Sequence, residues 1–374
     1  MEEIVRAAPL AFRQFILKLH GRCNLACDYC YLYTKADHGW QLRPRALSPE
    51  LADRTVARIA EHAAAHRVPT LAVLLHGGEP LLGGLPLVRR IADALRDKVP
   101  ARVRLSMQTN GTLLTEATLE VLSELDVGVG VSLDGDRIAH DRHRRGPGGR
   151  GSHADTAAAL RRLNSPAFRE IYRGVLCTID LRNDPVACYE ALLEFSPPRV
   201  DFLLPHHTWD APPPGAGRYA DWLIRIFDRW YGADRRETGV RLFEEIIHVL
   251  FGGRSAVESV GGPPSAPFLV VETDGSISRS DILASAAENV AKTGLRVDRD
   301  PFDAALPGAA PPPLSASCRA CDLVRVCGGG LPAHRYRSGS GFDNPSVYCA
   351  DLYRLIAHIR ARLTADLGAL RGTR

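Results

Sequence analysis

Three cysteines within eight residues, CNLACDYC, are the first feature of this chain that could do chemistry. Cys23, Cys27 and Cys30 stand in a C-x3-C-x2-C pattern just after the apolar run FILKLH. A disulfide framework uses an even number of thiols, and a closed zinc site takes four ligands. Three thiolates on one short loop suit a metal centre with one position left open, the arrangement that catalysis at a metal needs. Two readings fit the spacing: three irons of a 4Fe–4S cluster whose fourth iron is free, or a zinc ion completed by a histidine such as His20 or His38. A second group, CRACDLVRVC followed by VYC, holds Cys318, Cys321, Cys327 and Cys349. Four thiolates can close a metal site completely. Cys177 and Cys188 stand alone and read as small core residues.

The elements that must position these groups follow from the apolar pattern. Strand-length runs recur at 15–20, 71–78, 103–111, 127–135, 171–179 and 200–207, most of them continuously apolar, as parallel strands buried on both faces are. Helical stretches lie between them; SPELADRTVARIAEHAAAH opens on Ser48 as N-cap with Pro49 and Glu50 in the first turn. Six successive β/α units predict an α/β fold, a partial (β/α)6 TIM barrel. In such barrels chemistry sits on the loops after the strands. The first cysteine group, HGGEP, QTNG and SLDG all fall there, after strands one to four.

Beyond PPPG at 212–215 the pattern changes. Helices are expected at roughly 218–231 and 240–251, then a strand–turn–strand in VVETDGSISRSD with Asp274 and Gly275 at the turn. A Pro/Ala-rich linker without periodicity spans 305–316. The chain ends in a helix with Leu352, Ile356, Ile359 and Leu363 on one face. The expected organisation is a barrel at 1–212, bridging helices and hairpin at 213–304, and a cysteine segment with its helix at 305–374.

The totals set limits on function. The chain has 374 residues, 45% of them hydrophobic and 24% charged, as in a globular protein with a full core. A net charge of +4 does not argue for nucleic acid or membrane partners. The N-terminus shows no secretory signal and no run reaches the ~18 apolar residues of a membrane span, so a cytoplasmic location is expected. In a reducing cytosol the nine cysteines should be free or metal-bound.

C-x3-C-x2-C with Tyr29 before its last cysteine, and GGEP one β/α unit later, resembles the radical S-adenosylmethionine enzymes over roughly residues 12 to 207. The resemblance implies that Cys23, Cys27 and Cys30 ligate a 4Fe–4S cluster whose open iron chelates S-adenosyl-L-methionine. Gly77, Gly78, Glu79 and Pro80 match the stretch that receives the methionine amino group. Its glycines allow close backbone approach, and the Glu79 carboxylate can accept from an ammonium. Asn110 and Ser132 match polar positions near the cofactor, and Arg144 could pair with its carboxylate.

In that setting the second group resembles a C-terminal SPASM extension, which implies an auxiliary 4Fe–4S cluster on Cys318, Cys321, Cys327 and Cys349. Full SPASM domains carry seven cysteines and two auxiliary clusters. Here Ser280 and Leu331 stand where two of those cysteines are expected, so one auxiliary cluster is expected, making two 4Fe–4S clusters in all. Asp281 falls where some such enzymes place an acid near the reacting carbon, and is the candidate general base.

The strings YLYTKADHGW, LAVLLHGGEPLL, VDFLLPHHTWDAPPPG and CGGGLPAHRYRSGSGFDNPSVYCADL resemble the FxsB-like cyclophane-forming peptide maturases. That implies abstraction of a Cβ hydrogen from a ribosomal precursor peptide, then an aromatic-ring-to-Cβ crosslink, with the auxiliary cluster taking the electron. Thioether formation, epimerisation and formylglycine-type oxidation are the alternatives, and the missing inner cluster argues against the last. The partners implied are the precursor peptide and a flavodoxin- or ferredoxin-type electron donor. Few residues precede strand one, so no fused leader-binding domain is expected. His206, His207 and Trp209, after strand six, could line the peptide channel.

Overall fold

The computed structural model describes residues 11–215, 217–255, 257–262 and 267–372; the segment 1–10, which the signal-peptide reading concerned, lies outside the described residues. Six parallel strands follow in chain order: β1 (Gln14–His20), β2 (Thr70–Gly77), β3 (Arg102–Thr109), β4 (Gly128–Ser132), β5 (Tyr172–Thr178) and β6 (Arg199–Leu203). The crossovers are α1 (Pro49–Ala65), α2 (Leu85–Lys98), α3 (Glu116–Glu124), the pair α4 (Arg137–His143) and α5 (His153–Leu163), and α6 (Pro185–Leu193). Their starts are set by side-chain caps. Ser48 accepts from the Leu51 N–H, Thr115 from Thr118 and Asp184 from Ala187, each satisfying a donor the helix leaves open.

The sheet extends past these six strands at both edges. Beyond β6 lie α7 (Arg218–Tyr231), the short β7 (Gly239–Val240) and α8 (Arg241–Leu250). The expected strand–turn–strand does not stand apart. Its first strand, β8 (Phe268–Val271), runs parallel to β1 with Gln14 opposite Phe268 and Leu17 opposite Val271. β9 (Ser276–Ser278) and β10 (Lys292–Arg296) continue antiparallel, giving one sheet ordered β10-β9-β8-β1-β2-β3-β4-β5-β6-β7. Gly275, at φ +81, makes the turn between β8 and β9.

Burial on both faces holds for β1, where Phe15, Leu17 and Leu19 are buried on one face and Ile16 and Lys18 on the other. It does not hold for β2. There Leu71, Val73 and Leu75 are buried while Ala72, Leu74 and His76 are half-buried, because the unclosed barrel leaves its second face partly uncovered.

The C-terminal region comprises α9 (Ala316–Arg319), α10 (Val324–Cys327) and α11 (Cys349–Gly372). Leu352, Leu355, Ile356 and Ile359 form the buried stripe of α11. Asp351 in its first turn is buried and accepts from the N–H groups of Gly217 (3.1 Å) and Ala220 (2.8 Å). It thereby caps α7, whose own N-cap glycine offers no side chain. The segment expected as a free linker is anchored instead. A 3-10 turn, Phe302–Gly308, buries Phe302, Ala305 and Leu306, and the Phe302 ring packs 5.0 Å from Phe15. Its apolar residues lack helical or strand period, so periodicity passed over them. Among the described residues no helix is long and apolar enough to cross a membrane.

Gly77 and Gly78 close β2 against the chain that leads into the first cysteine loop. The Gly78 N–H donates to His20 O (2.8 Å) and the Glu79 N–H to Arg22 O (3.0 Å). A Cβ at Gly77, whose φ is +146, would lie 2.3 Å from His20 O; one at Gly78 would lie 2.4 Å from Arg22 O. Gly77→Ala should therefore destabilise the protein by about 3 kcal/mol, read as a lowered urea midpoint at unchanged slope. An unshifted midpoint would show that the close approach is not required.

Candidate active site

The first cysteine loop is held by contacts between neighbouring rim loops. Leu25 N–H donates to Cys23 Sγ at 3.4 Å and Asn110 Nδ2 to the same sulfur at 3.6 Å. Asn110 Nδ2 also donates to Asn24 Oδ1 (2.9 Å), while Asn24 Nδ2 donates to Thr112 Oγ1 (2.8 Å). The loop after β3 thus grips the loop after β1. Burial pushes the Cys27 thiol up to about 12, with Arg144 opposing and Cys30 and Cys23 adding to the rise, so the three sulfurs act on one another.

Glu79 is fully buried and its carboxylate is already engaged. It accepts from Leu81 N (3.1 Å), Thr109 Oγ1 (2.8 Å) and Asn110 N (2.9 Å). Its side chain ties the loop after β2 to the loop after β3. Pro80 is buried behind it, and Ser132, at the end of β4, accepts from Gln108 Nε2 at 3.0 Å.

Arg144, at the end of α4, faces Tyr29 and Asp134 rather than solvent. Its Nη1 donates to the Tyr29 hydroxyl (2.7 Å) and lies 3.8 Å from Asp134, to which Tyr29 also donates. Burial would lower its pKa, but Tyr29, Asp134 and Cys27 hold it well above the ordinary guanidinium value. Its Nε is buried and has no partner.

The hairpin brings a second set of charges to the rim. Lys18, in mid-β1, is buried and lies 3.3 Å from Glu272 and 3.9 Å from Asp281; Arg43 lies 3.2 Å from Glu272. Asp281 accepts from the Tyr31 hydroxyl at 2.7 Å, with His76 at 3.9 Å. Burial alone would raise the Asp281 pKa; Lys18, His76 and Tyr31 hold it below the ordinary carboxylate value. It is therefore ionised at neutral pH. Lys18, Gly77, Gly78, Glu272 and Asp281 line one cleft.

A file of rings runs from this cleft toward the C-terminal cysteines. Tyr31, bonded to Cys30, meets His206 at 5.2 Å; His206 meets His334 at 5.3 Å, with Nδ1 to Nε2 at 3.1 Å; His334 meets Tyr348, bonded to Cys349, at 5.0 Å. Burial brings His206 down to about 4, so its ring is neutral. His207 instead turns to the Ala211 carbonyl (2.9 Å), and Trp209 is pinned by its Nε1 to Pro345 O (2.8 Å). Of the three side chains expected to line a channel, only His206 reaches Tyr31.

The second cysteine group assembles from α9, α10 and the start of α11. Burial raises the Cys327 thiol to about 11, and Cys349, Cys318 and Cys321 add to the rise, so all four lie together. Buried Arg335 holds the surrounding chain by donating to the carbonyls of Phe342 (3.0 Å) and Pro312 (3.1 Å). Ser280 and Leu331 supply no thiol here. Cys177 and Cys188 are buried in the barrel, as a core reading expects.

Sequence reasoning missed Tyr31, Lys18, His76, Asp134 and Glu272. Two carried a signal: Lys18 is a charge inside an apolar strand, and Tyr31 adjoins a cysteine of the trio. Glu272 owes its place to the pairing of β8 with β1, and His76 sits opposite Lys18 through the β1–β2 register; no local pattern shows either.

The structure is a partial parallel barrel with a cysteine trio on its first loop and a second group of four cysteines beyond it. Residues 17–178 match the Radical SAM superfamily. The chain thus carries a radical SAM domain over residues 17–178, and the cofactors that go with that domain are a 4Fe–4S cluster and S-adenosyl-L-methionine. It is 26% identical to a serine-type anaerobic sulfatase-maturating enzyme of Klebsiella aerogenes over 98% of this chain and 90% of the relative. It is also 26% identical to a cysteine-type anaerobic sulfatase-maturating enzyme of Clostridium perfringens, over 69% and 71% of the two chains. In structure it is similar to native anSMEcpe with bound AdoMet (TM-score 0.81, 20% identity, covering 94% of this chain and 98% of that one). It is similar as well to Streptococcus suis SuiB bound to the precursor peptide SuiA (TM-score 0.62, 13% identity, covering 91% and 76%). The residues present fit the cofactors: nine free thiols, seven of them in two groups, with no disulfide among the described residues, and an unpartnered guanidinium nitrogen at the rim.

Half-buried Glu258 lies near Asp281, and burial followed by Asp281 pushes its carboxyl up to about 8. A carboxyl whose folded value exceeds its unfolded value of about 4.3 costs stability increasingly as pH climbs between the two. Glu258→Gln removes that cost. The variant should melt above the wild type, by a wider margin at about pH 8 than at about pH 6. An equal margin at both would contradict the assignment.

Proposed function

We propose that this enzyme oxidises a side-chain carbon of a peptide or protein substrate by two electrons, in a formylglycine-type reaction on serine or cysteine. The observation that carries the reading is Asp281, buried, ionised and oriented by Tyr31 in the same cleft as Gly77 and Gly78. The relatives that match over most of the chain are named for sulfatase maturation, which supports this reading above the FxsB-like cyclophane reading of the sequence.

In this proposal Cys23, Cys27 and Cys30 hold the cluster that binds S-adenosyl-L-methionine, and Cys318, Cys321, Cys327 and Cys349 hold the auxiliary one. When bound, these cofactors supply a hydrogen-abstracting radical and an acceptor for one electron. Gly77 and Gly78 let the backbone approach the methionine moiety, with Glu79 and Pro80 fixing that stretch. Asn110 and Ser132 line the cofactor side, and the free Nε of Arg144 is placed for an anionic group. The chain's own part in the chemistry is a proton transfer. After a hydrogen atom leaves the substrate carbon, loss of one electron and one proton gives the carbonyl from serine; from cysteine it gives a thiocarbonyl, which water converts to the carbonyl with release of hydrogen sulfide. The proton goes to the Asp281 carboxylate, which the Tyr31 hydroxyl orients and Lys18 keeps charged. The rings Tyr31, His206, His334 and Tyr348 give the electron a packed route toward the second cysteine group.

One observation favours a second reading, cyclophane formation. Ser280, buried next to Asp281 in the chain, stands where a full SPASM pattern has a cysteine, so no second auxiliary cluster is fully thiolate-ligated. Both reactions remove two hydrogens from a serine-bearing or aromatic-bearing peptide, so the product's reactivity must separate them. Incubation with a sulfatase-type Ser or Cys peptide should give an aldehyde that a hydrazine reagent traps. A product from an aromatic peptide that resists trapping and fragments as a ring would establish the crosslink instead. No product and no 5′-deoxyadenosine from either peptide would remove both.

Asp281→Asn should lower product formation by about 10²–10⁴-fold while 5′-deoxyadenosine is still released, because only the later proton transfer is lost. Product formation at the wild-type rate would show that another group takes the proton.

A further inference from the structure

On the outer side of the barrel, away from both cysteine groups, three ligand-type side chains converge. His62 and His66 lie one turn apart on α1, and Asp303 comes from the anchored 3-10 turn at Phe302–Gly308. His62 Nδ1 is 2.5 Å from Asp303 Oδ1 and His66 Nε2 is 3.0 Å from Asp303 Oδ2. One donor atom from each residue falls within 4.8 Å of the others. Among the described residues this is the one group of three His, Cys, Asp or Glu side chains so gathered.

Hydrogen bonds alone account for the cluster poorly. A carboxylate only accepts, so both imidazoles would have to turn N–H groups toward Asp303. Neutral His62 would then present a bare Nε2 to its apolar surroundings. That atom is buried and has no hydrogen-bond partner, with Phe12 and Phe15 ring centroids 5.5 Å and 5.9 Å from the imidazole. The Phe12 backbone acts on the ring in the sense that favours a proton on it. With the proton on Nε2, the Nδ1 lone pair faces a carboxylate oxygen at 2.5 Å, two acceptors with nothing between them. A divalent cation held by His62 Nδ1, His66 Nε2 and an Asp303 oxygen, with Nδ1 and Oδ1 drawn apart to metal–ligand spacing, resolves the conflict. A metal-bound histidine characteristically turns its other N–H to a backbone carbonyl.

We propose that His62, His66 and Asp303 form a divalent transition-metal site of the zinc type. Two imidazole nitrogens and one carboxylate oxygen are a zinc donor set, with a fourth, water-filled position on the open side. That side is open because the Asp303 side chain is 43% exposed and that of His66 28%, whereas His62 is enclosed at 1%. The ion would clamp α1 to the segment that leads, some fifteen residues on, into Cys318. It is a structural clamp independent of the reaction proposed above, so failure of one leaves the other standing.

The test uses the protein with both cysteine groups filled by anaerobic iron and sulfide reconstitution, so that thiols do not compete for zinc. Zinc sulfate is added, excess ion is removed by gel filtration, and zinc and iron are measured together. Wild type should retain about one zinc per chain and melt higher than before zinc was added. His66→Ala and Asp303→Asn, both changing exposed side chains, should retain none, show no zinc-dependent melting shift and keep the wild-type iron content. Zinc retained equally by wild type and both variants, or by none of the three, would overturn the site.

Discussion

Lys18 sits in the middle of the first barrel strand, buried among residues that are otherwise apolar. An ammonium in that position without partners would cost several kcal/mol. Its answer comes from more than 250 residues further along the chain, where the β8–β9 hairpin carries Glu272 and Asp281. Pairing of β8 beside β1 is what delivers both carboxylates, and it also closes one side of the cleft. Much of the candidate site depends on that pairing. Asp281 is ionised because Lys18 is there, Tyr31 is oriented because Asp281 is there, and the loop bearing Tyr31 is the loop bearing the cysteine trio.

The C-terminal cysteine group is attached to the barrel by polar contacts as specific as those of the rim. Asp351 caps α7 two residues after Cys349, so the helix that begins at one thiol is fixed to the helix that follows the barrel. Arg335 gathers carbonyls from both sides of the cysteine segment. Gly328, directly after Cys327, has a φ of +64, and a Cβ there would lie 1.8 Å from Gly262 N, so a side chain would push this segment off its neighbour. The Asp351 and Arg335 contacts satisfy backbone groups that burial would otherwise leave unpaired.

The barrel was legible in the sequence because its strands and helices carry the two simplest periods, with Ser48, Thr115 and Asp184 marking helix starts. The cysteine groups were legible because spacing along one loop is a local property. Glu79 was visible as a residue but not in its role, since Thr109 and Asn110 come from the next β/α unit. The same holds for Asp281, whose neighbours Lys18, His76 and Tyr31 are brought to it by register. Residues 305–316 read as a linker because Phe302 and Leu306 are anchored by a single turn, too short to show a period.

In the reading proposed above, the two cysteine groups are separate iron–sulfur sites with different tasks, one at the open rim and one closed. The most direct measurement is iron and sulfide content with S-adenosyl-L-methionine cleavage, taken anaerobically on the reconstituted wild type and two variants. Wild type should hold about eight irons and release 5′-deoxyadenosine on reduction. Alanine at Cys23, Cys27 and Cys30 should leave about four irons and abolish cleavage. Alanine at Cys318, Cys321 and Cys327 should also leave about four irons, with cleavage retained. Zinc in place of iron in the wild type, or cleavage that survives loss of the trio, would contradict the account.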